Sequence, residues 1–191
     1  MNLPNKLTVF RIILIPIFAI VLMLPVDIWG GLSQLPMTHL VAAIIFIVAS
    51  LTDTADGQIA RRQHLVTNFG KFADPLADKL LVMTALIFFV QFQWLPAWMI
   101  ALIVIRELAV TGLRTLIVEN NGEVMAAAMP GKIKTTTQML AIIFFLLHDL
   151  GFNLIHVPFA QIMIWIALFF TIYSGIEYFW KARFVFSDGF K

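Results

Sequence analysis

Four aspartates of this chain are spaced so that they could act together. Asp53 and Asp56 are three residues apart and Asp74 and Asp78 are four apart, so each pair shares one face of a helix. Only the seventeen residues of Gly57–Ala73 separate the pairs, so a tight bend there would bring two antiparallel helices and their carboxylates face to face. Four facing carboxylates repel one another unless cations bind them, and oxygen-only ligands suit Mg²⁺, Mn²⁺ or Ca²⁺. A two-metal site of this kind would polarise phosphoryl oxygens and orient a displacement.

Small residues and an arginine accompany these aspartates. Gly57 lies four residues after Asp53, and Ala60 lies four after Asp56, which clears space beside the carboxylates for a ligand. Arg61 follows directly, and a guanidinium can bind a phosphate through two hydrogen bonds. Simpler interpretations are solvated helix ends for the aspartates, helix–helix packing for the small residues and an interfacial anchor for the arginine. Four carboxylates in two pairs favour a functional site. They lie beside long apolar segments, and ionisable side chains are energetically costly where a membrane surrounds such segments.

The composition indicates which elements must carry these residues. The chain has 191 residues, of which 61% are hydrophobic and 13% charged, with a mean hydropathy of +0.93. Soluble domains average about 45–50% apolar residues. We therefore predict an all-α, polytopic membrane protein in which residues 1–191 form one membrane-embedded domain. A spanning helix needs about twenty apolar residues, and six segments are suitable: Leu7–Val26, Met37–Ala60, Phe72–Phe92, Trp94–Ile117, Gly131–Leu150 and Val157–Trp180.

The basic residues predict the orientation of these six spans. If the N-terminus is cytoplasmic, all thirteen Lys and Arg residues fall on the cytoplasmic side, and the connections Pro25–Pro36, Gln91–Gln93 and Asp149–His156 carry none. In this orientation the carboxylate cluster faces the cytoplasm. The protein is then predicted to be a multi-pass protein of the cell membrane. No A-x-A-like site follows Leu24, so we expect the first span to be retained and not cleaved as a signal peptide.

Three further features limit the possibilities. The chain has no cysteine, which excludes disulfides and thiolate metal sites. Its net charge of +2 gives no sign of a nucleic-acid partner. The start of the third helix stays open: either Asp74 caps it with Pro75 in the first helical position, or it begins near Asn68 and bends at Pro75.

The carboxylate segment resembles the signature of the CDP-alcohol phosphotransferase family. The pattern Asp53-x2-Asp56-Gly57-x2-Ala60-Arg61-x8-Gly70-x3-Asp74-x3-Asp78 agrees with that signature at every position and spacing. The resemblance, which extends to the six-span layout, implies a membrane enzyme, commonly a homodimer, in which an alcohol displaces CMP from a CDP-linked donor. It implies two Mg²⁺ or Mn²⁺ ions held by Asp53, Asp56 and Asp74, with Asp78 as the general base that also touches a metal. It implies a cytidine diphosphate pocket formed by Asp56, Gly57, Ala60, Arg61 and Gly70.

A second group of residues points to the alcohol acceptor. Glu107 and Arg114 are seven residues apart on the fourth predicted helix and share a face, with Arg106 beside them. Lys132 and Lys134 open the fifth helix at the same cytoplasmic level. These residues would form a basic chamber near the carboxylates, suited to an acceptor that carries its own phosphate. Anchoring at the interface is the simpler interpretation of the two lysines.

Two longer stretches refine the resemblance. NLPNKLTVFRIILIP near the N-terminus and the stretch from Ile105 to Gln138 are similar to family members that use CDP-diacylglycerol as donor and glycerol 3-phosphate as acceptor. Asn5, Thr8 and Arg11 either line the entrance of the chamber or cap a helix. Alternative functions are the same chemistry with serine, inositol or a lipid as acceptor, an intramembrane prenyltransferase with aspartate-rich motifs, and a divalent-cation transporter.

Overall fold

The computed structural model describes residues 3–25, 31–32, 35–62, 68–119 and 129–183. Its long elements are helices: α1 (Leu3–Met23), α2 (Met37–Arg62), α3 (Asn68–Gln91), α4 (Ala97–Glu119), α5 (Met129–Leu146) and α6 (Phe159–Lys181). Between α1 and α2, strands β1 (Gly31–Leu32) and β2 (Leu35–Pro36) pair in antiparallel register, and a 3-10 turn (Phe152–Ile155) precedes α6. The described part of the protein is therefore all-helical apart from one small hairpin.

The six predicted apolar segments correspond to α1–α6, with ends that differ by a few residues. α3 begins at Asn68 and passes through Pro75, so the alternative in which Asp74 caps this helix is wrong. α5 ends at Leu146, earlier than predicted, and the chain then turns through His148 and Asp149, whose φ values are 51° and 52°. The hairpin was not predicted, because two-residue strands leave no periodic pattern in the sequence.

Two helices are long and apolar enough to cross a membrane by themselves. Within the described residues these are Asn5–Met23 of α1 and Phe159–Lys181 of α6, while Met37–Thr52 in α2 is apolar but shorter. Large apolar side chains also face outward on other helices, for example Ile105 at 63% exposure. These features are consistent with a membrane protein, and the six-span arrangement remains a prediction.

Small residues allow the helices to approach closely. α1 packs on α2 and α3, α5 packs along α6 and also contacts α2, and α4 lies against α6 and α3. Ala42, Ala49, Ala85 and Ala141 are fully buried where these helices meet, as expected for helix contacts in a membrane. Larger rings fill the remaining space: buried Phe18, Phe46 and Phe89.

The directions of the helices alternate, and this positions the functional residues. At one end of the bundle, His39 at the start of α2 meets His148 after α5, with Nδ1 and Nε2 2.8 Å apart. The ring of Phe89 near the end of α3 lies 5.3 Å from the ring of Phe145 near the end of α5. The beginnings of α3 and α5 and the second half of α4 therefore meet towards the opposite end, where the charged residues are concentrated.

Candidate active site

A cavity of about 280 Å³ lies where α3, α4 and α5 meet. Its charged lining residues come from all three helices: Asp78, Lys79, Arg106, Glu107, Arg114 and Lys134. The other lining residues are Gly131, Thr135 and Gln138 on α5 and an apolar set formed by Val82, Met83, Leu86, Ile103 and Met139. The cavity thus combines one predicted catalytic carboxylate with several cations, and part of its wall is apolar.

Glu107 is the centre of the ionic contacts in this cavity. Its Oε1 accepts a hydrogen bond from Nη1 of Arg106 at 2.9 Å and another from Nζ of Lys134. Lys134 is 7% exposed, so its ammonium is held almost entirely within the protein. A buried cation without a counter-charge would be costly, and the carboxylate lowers this cost while fixing both cations on one side of the cavity.

Residues of α4 and α6 hold the remaining cations. Nη2 of Arg106 donates to Oγ of Ser174 at 2.8 Å, and the guanidinium of Arg114 lies 5.4 Å from the centre of the Tyr178 ring. Nζ of Lys79 donates to Oγ1 of Thr111. Arg106, Arg114 and Lys79 therefore each have a neutral or aromatic partner that orients the side chain without neutralising its charge.

The structure brings together most of the predicted acceptor site. Asp78, Arg106, Arg114 and Lys134 line one cavity, although they lie on three different helices. Lys132 is exposed and is not among the lining residues, so interfacial anchoring is the better interpretation of this lysine. Of the predicted chamber, therefore, the two arginines and one of the two lysines share the cavity.

The predicted donor and metal residues lie on the two helices before this cavity. Asp53, Asp56, Gly57, Ala60 and Arg61 belong to α2, and Gly70 and Asp74 belong to α3 with Asp78. Except for Asp78, their side chains lie outside the part of the chain that the structure describes. Within that part, no three His, Cys, Asp or Glu side chains form a metal site. The predicted metal ligands are carboxylate oxygens on two consecutive helices, and oxygen ligands of this kind suit a hard divalent cation.

Comparison with known proteins decides the family. The family model described as CDP-alcohol phosphatidyltransferase matches residues 1–173. The chain belongs to this family. The match covers all of the carboxylate segment, the cavity residues on α3–α5 and most of α6.

Several bacterial members of the family are similar over nearly their full length. The chain is 56% identical to a Bacillus subtilis protein named CDP-diacylglycerol--glycerol-3-phosphate 3-phosphatidyltransferase, with 94% of each chain covered. It is 37% identical to Escherichia coli and Rickettsia bellii proteins of the same name, with 95% and 93% of each chain covered, respectively. The resemblance inferred from the motif is confirmed at the level of the family, and the chain is a phosphatidyltransferase.

Sequence reasoning missed three residues of the site. Lys79 and Gln138 line the cavity without having been predicted there, and Ser174 on α6 supports Arg106 from outside it. Gln138 follows Lys134 by one helical turn, so helical spacing could have found it. Nothing local in the sequence connects Ser174 to α4, because the two residues of that contact are 68 positions apart.

The structure excludes a solvated helix cap for two residues of α1. Thr8 and Arg11 were expected either to cap a helix in the cytoplasm or to line the entrance of the chamber. Both are fully buried, at 0% exposure, so a solvated cap does not describe them. They lie on the helix that packs against α2 and α3, the two helices that carry the motif.

Proposed function

We propose that this chain transfers the phosphatidyl group of CDP-diacylglycerol to glycerol 3-phosphate, giving phosphatidylglycerophosphate and CMP. One observation carries the proposal: Asp78, the last carboxylate of the family motif, shares a cavity with Arg106, Arg114 and Lys134. A base and a set of phosphate-binding cations in one cavity suit an acceptor that has both a hydroxyl and a phosphate. The names of the similar proteins support the same pair of substrates.

The charge of the cavity favours a phosphorylated acceptor. Among its described lining residues, Lys79, Arg106, Arg114 and Lys134 are cationic, and Asp78 and Glu107 carry carboxylates. With all six ionised, two positive charges are in excess, which complements a phosphate dianion. Serine and inositol carry no phosphate dianion, so neither would neutralise this excess.

The reaction requires a proton acceptor next to the attacking hydroxyl. The C1 hydroxyl oxygen of glycerol 3-phosphate attacks the phosphorus that bears the diacylglycerol, and a new P–O bond forms. The P–O bond to CMP breaks, and CMP leaves with the bonding electron pair. Asp78 takes the proton of the hydroxyl, acting as the general base. The cations of the cavity fix the acceptor by its phosphate, which orients the hydroxyl for this attack.

The donor belongs beside the cavity, on the motif helices. Asp56, Gly57, Ala60, Arg61 and Gly70 would bind its cytidine diphosphate part. Asp53, Asp56 and Asp74, with Asp78, would hold two divalent ions, Mg²⁺ or Mn²⁺. When bound, such ions polarise the phosphoryl oxygens and stabilise the charge on departing CMP.

A lipid donor places the reaction at a membrane. We propose six spans, a cytoplasmic active site in the cell membrane, and a homodimer in which residues 1–191 of each copy form one domain. The distribution of Lys and Arg supports this orientation. A cysteine introduced at Ser33 should react with an impermeant reagent in intact cells, and one at Gln63 only after permeabilisation. Reversed labelling would contradict the cytoplasmic site.

Identification of the product tests the central proposal. The purified full chain in detergent should release CMP from CDP-diacylglycerol when glycerol 3-phosphate is added, and the lipid product should carry a phosphomonoester. Serine, inositol and phosphatidylglycerol are offered in parallel, and a faster reaction with one of them would replace glycerol 3-phosphate as acceptor. Turnover of a prenyl diphosphate, or cation flux in proteoliposomes without CMP release, would contradict the reaction class.

A further inference from the structure

Gln138 is a buried polar residue of the cavity that the reaction above does not use. It is 3% exposed, lies on α5 and lines the cavity one turn beyond Lys134. Among the described residues, the structure shows no hydrogen-bond partner for its amide, whereas Oγ1 of the neighbouring lining residue Thr135 donates to the carbonyl of Gly131 at 3.0 Å. The amide is not among the described buried polar atoms that lack a partner, so its polar atoms reach the surface of the cavity and can meet a ligand there.

The position of Gln138 relative to the charged residues indicates which partner it meets. Lys134 and Arg106 are joined through Glu107, so two of the phosphate-binding cations meet at that level of the cavity. Gln138 lies about 6 Å farther along the helix axis, in the direction of the apolar residues of the wall. A neutral amide between a cationic region and an apolar region can donate to and accept from a hydroxyl, but it adds no charge for a phosphate.

We infer that the Gln138 amide binds the C2 hydroxyl of the acceptor. Gln138 would thereby determine which acceptor the enzyme prefers. This rests on the proposed function. The phosphate of glycerol 3-phosphate pairs with the cations and its C1 hydroxyl is the nucleophile beside Asp78. The C2 hydroxyl of the acceptor then still needs a partner. Among the described polar lining residues without a charge, Thr135 already donates to the Gly131 carbonyl, which leaves Gln138 as the residue whose amide can bind the C2 hydroxyl.

The acceptor analogue 3-hydroxypropyl phosphate tests this assignment, because it keeps the phosphate and the attacking hydroxyl and lacks only the C2 hydroxyl. For the unaltered full chain in detergent, kcat/KM should be about 5- to 100-fold lower with the analogue than with glycerol 3-phosphate, because the hydrogen bond between the amide and the C2 hydroxyl is lost. Q138M has a side chain of similar length without an amide. In this variant the ratio of kcat/KM for glycerol 3-phosphate to kcat/KM for the analogue should fall to within about twofold of one.

Thr137 supplies a matched control. Its hydroxyl donates to the carbonyl of Ile133 at 2.8 Å, and the residue does not line the cavity. T137V should therefore discriminate between the two acceptors as the unaltered chain does. KM for CDP-diacylglycerol is measured for each variant and should stay unchanged in Q138M, which separates loss of the hydroxyl contact from general damage.

The outcomes separate the inference from the proposed function. No turnover of glycerol 3-phosphate by the unaltered chain would contradict the proposed function itself. Turnover without discrimination against the analogue, or full discrimination retained in Q138M, would overturn the role of Gln138 and leave the proposed function standing. If Q138M does not fold, Q138L also lacks the amide, and full discrimination retained in that variant would equally overturn the inference.

Discussion

Lys134 offers the sharpest test of the acceptor site. It is buried, it lines the cavity, and its ammonium is bonded to Glu107. K134M removes the charge and keeps an unbranched apolar chain that the apolar wall can accept. We expect KM for glycerol 3-phosphate to rise while KM for CDP-diacylglycerol changes little, because the donor binds on the motif helices.

The expected magnitude follows from the contacts of Lys134. A hydrogen bond to a charged group contributes about 1.5–3 kcal/mol, which corresponds to about 13- to 160-fold in acceptor affinity. The upper part of this range is expected. Among the described residues, the loss of Lys134 leaves Arg106, 2.9 Å away, as the cation that still forms a salt bridge with Glu107. The less compensated carboxylate would then repel the incoming phosphate.

A second substitution isolates that repulsion. E107Q removes the carboxylate, so the double variant K134M/E107Q should bind the acceptor better than K134M alone. Residues in direct contact typically couple by about 0.5–3 kcal/mol. The changes in acceptor-binding free energy caused by K134M and by E107Q should therefore not sum to the change in the double variant.

Initial rates over both substrates measure these effects. K132A is the matched control, since Lys132 is exposed on the same helix and does not line the cavity, and its acceptor KM should change less than about twofold. The reasoning is refuted if K134M raises KM for the lipid donor and not for the acceptor, or if K132A is as damaging as K134M.

Three further outcomes are expected. D78N should abolish turnover and retain binding of CDP-diacylglycerol, whereas D53N should lose both; equal loss of donor binding would contradict the division between base and metal ligand. Chelation should stop CMP release and added Mg²⁺ or Mn²⁺ should restore it, so full activity after chelation would contradict a metal requirement. In G175A the new Cβ would lie 3.0 Å from Cγ of Arg106, so the KM for the acceptor should rise a few-fold. G112A is the control, because the space around Gly112 is open, and it should leave this KM unchanged. Equal KM values in the two variants would refute the link from α6 to Arg106.

The sequence predicted the helices well because apolar runs and their breaks are local signals. It also predicted that Arg106, Arg114 and Lys134 lie towards the same end of the bundle, because helix direction and the one-sided distribution of basic residues indicate which end of each helix carries the charges. It could not separate Lys132 from Lys134, because both occur in the same basic turn and only the rotation of α5 decides which one faces α4. The start of α3 was ambiguous for a related reason: Pro75 is compatible with a first turn and with a bend, and the continuation to Asn68 decides the matter.

Glu107 shows what helical spacing alone could not explain. A carboxylate in a cavity that receives a phosphate adds repulsion, and the sequence suggested only that Glu107 shares a face with Arg114. The contacts give the reason, because its Oε1 binds Arg106 and Lys134 together, on α4 and α5. Cations at this depth need a counter-charge before the substrate arrives, and a single shared carboxylate supplies it without neutralising the site. The cavity thus stays positive enough to attract a phosphate, and its cations are already held in place when the phosphate binds.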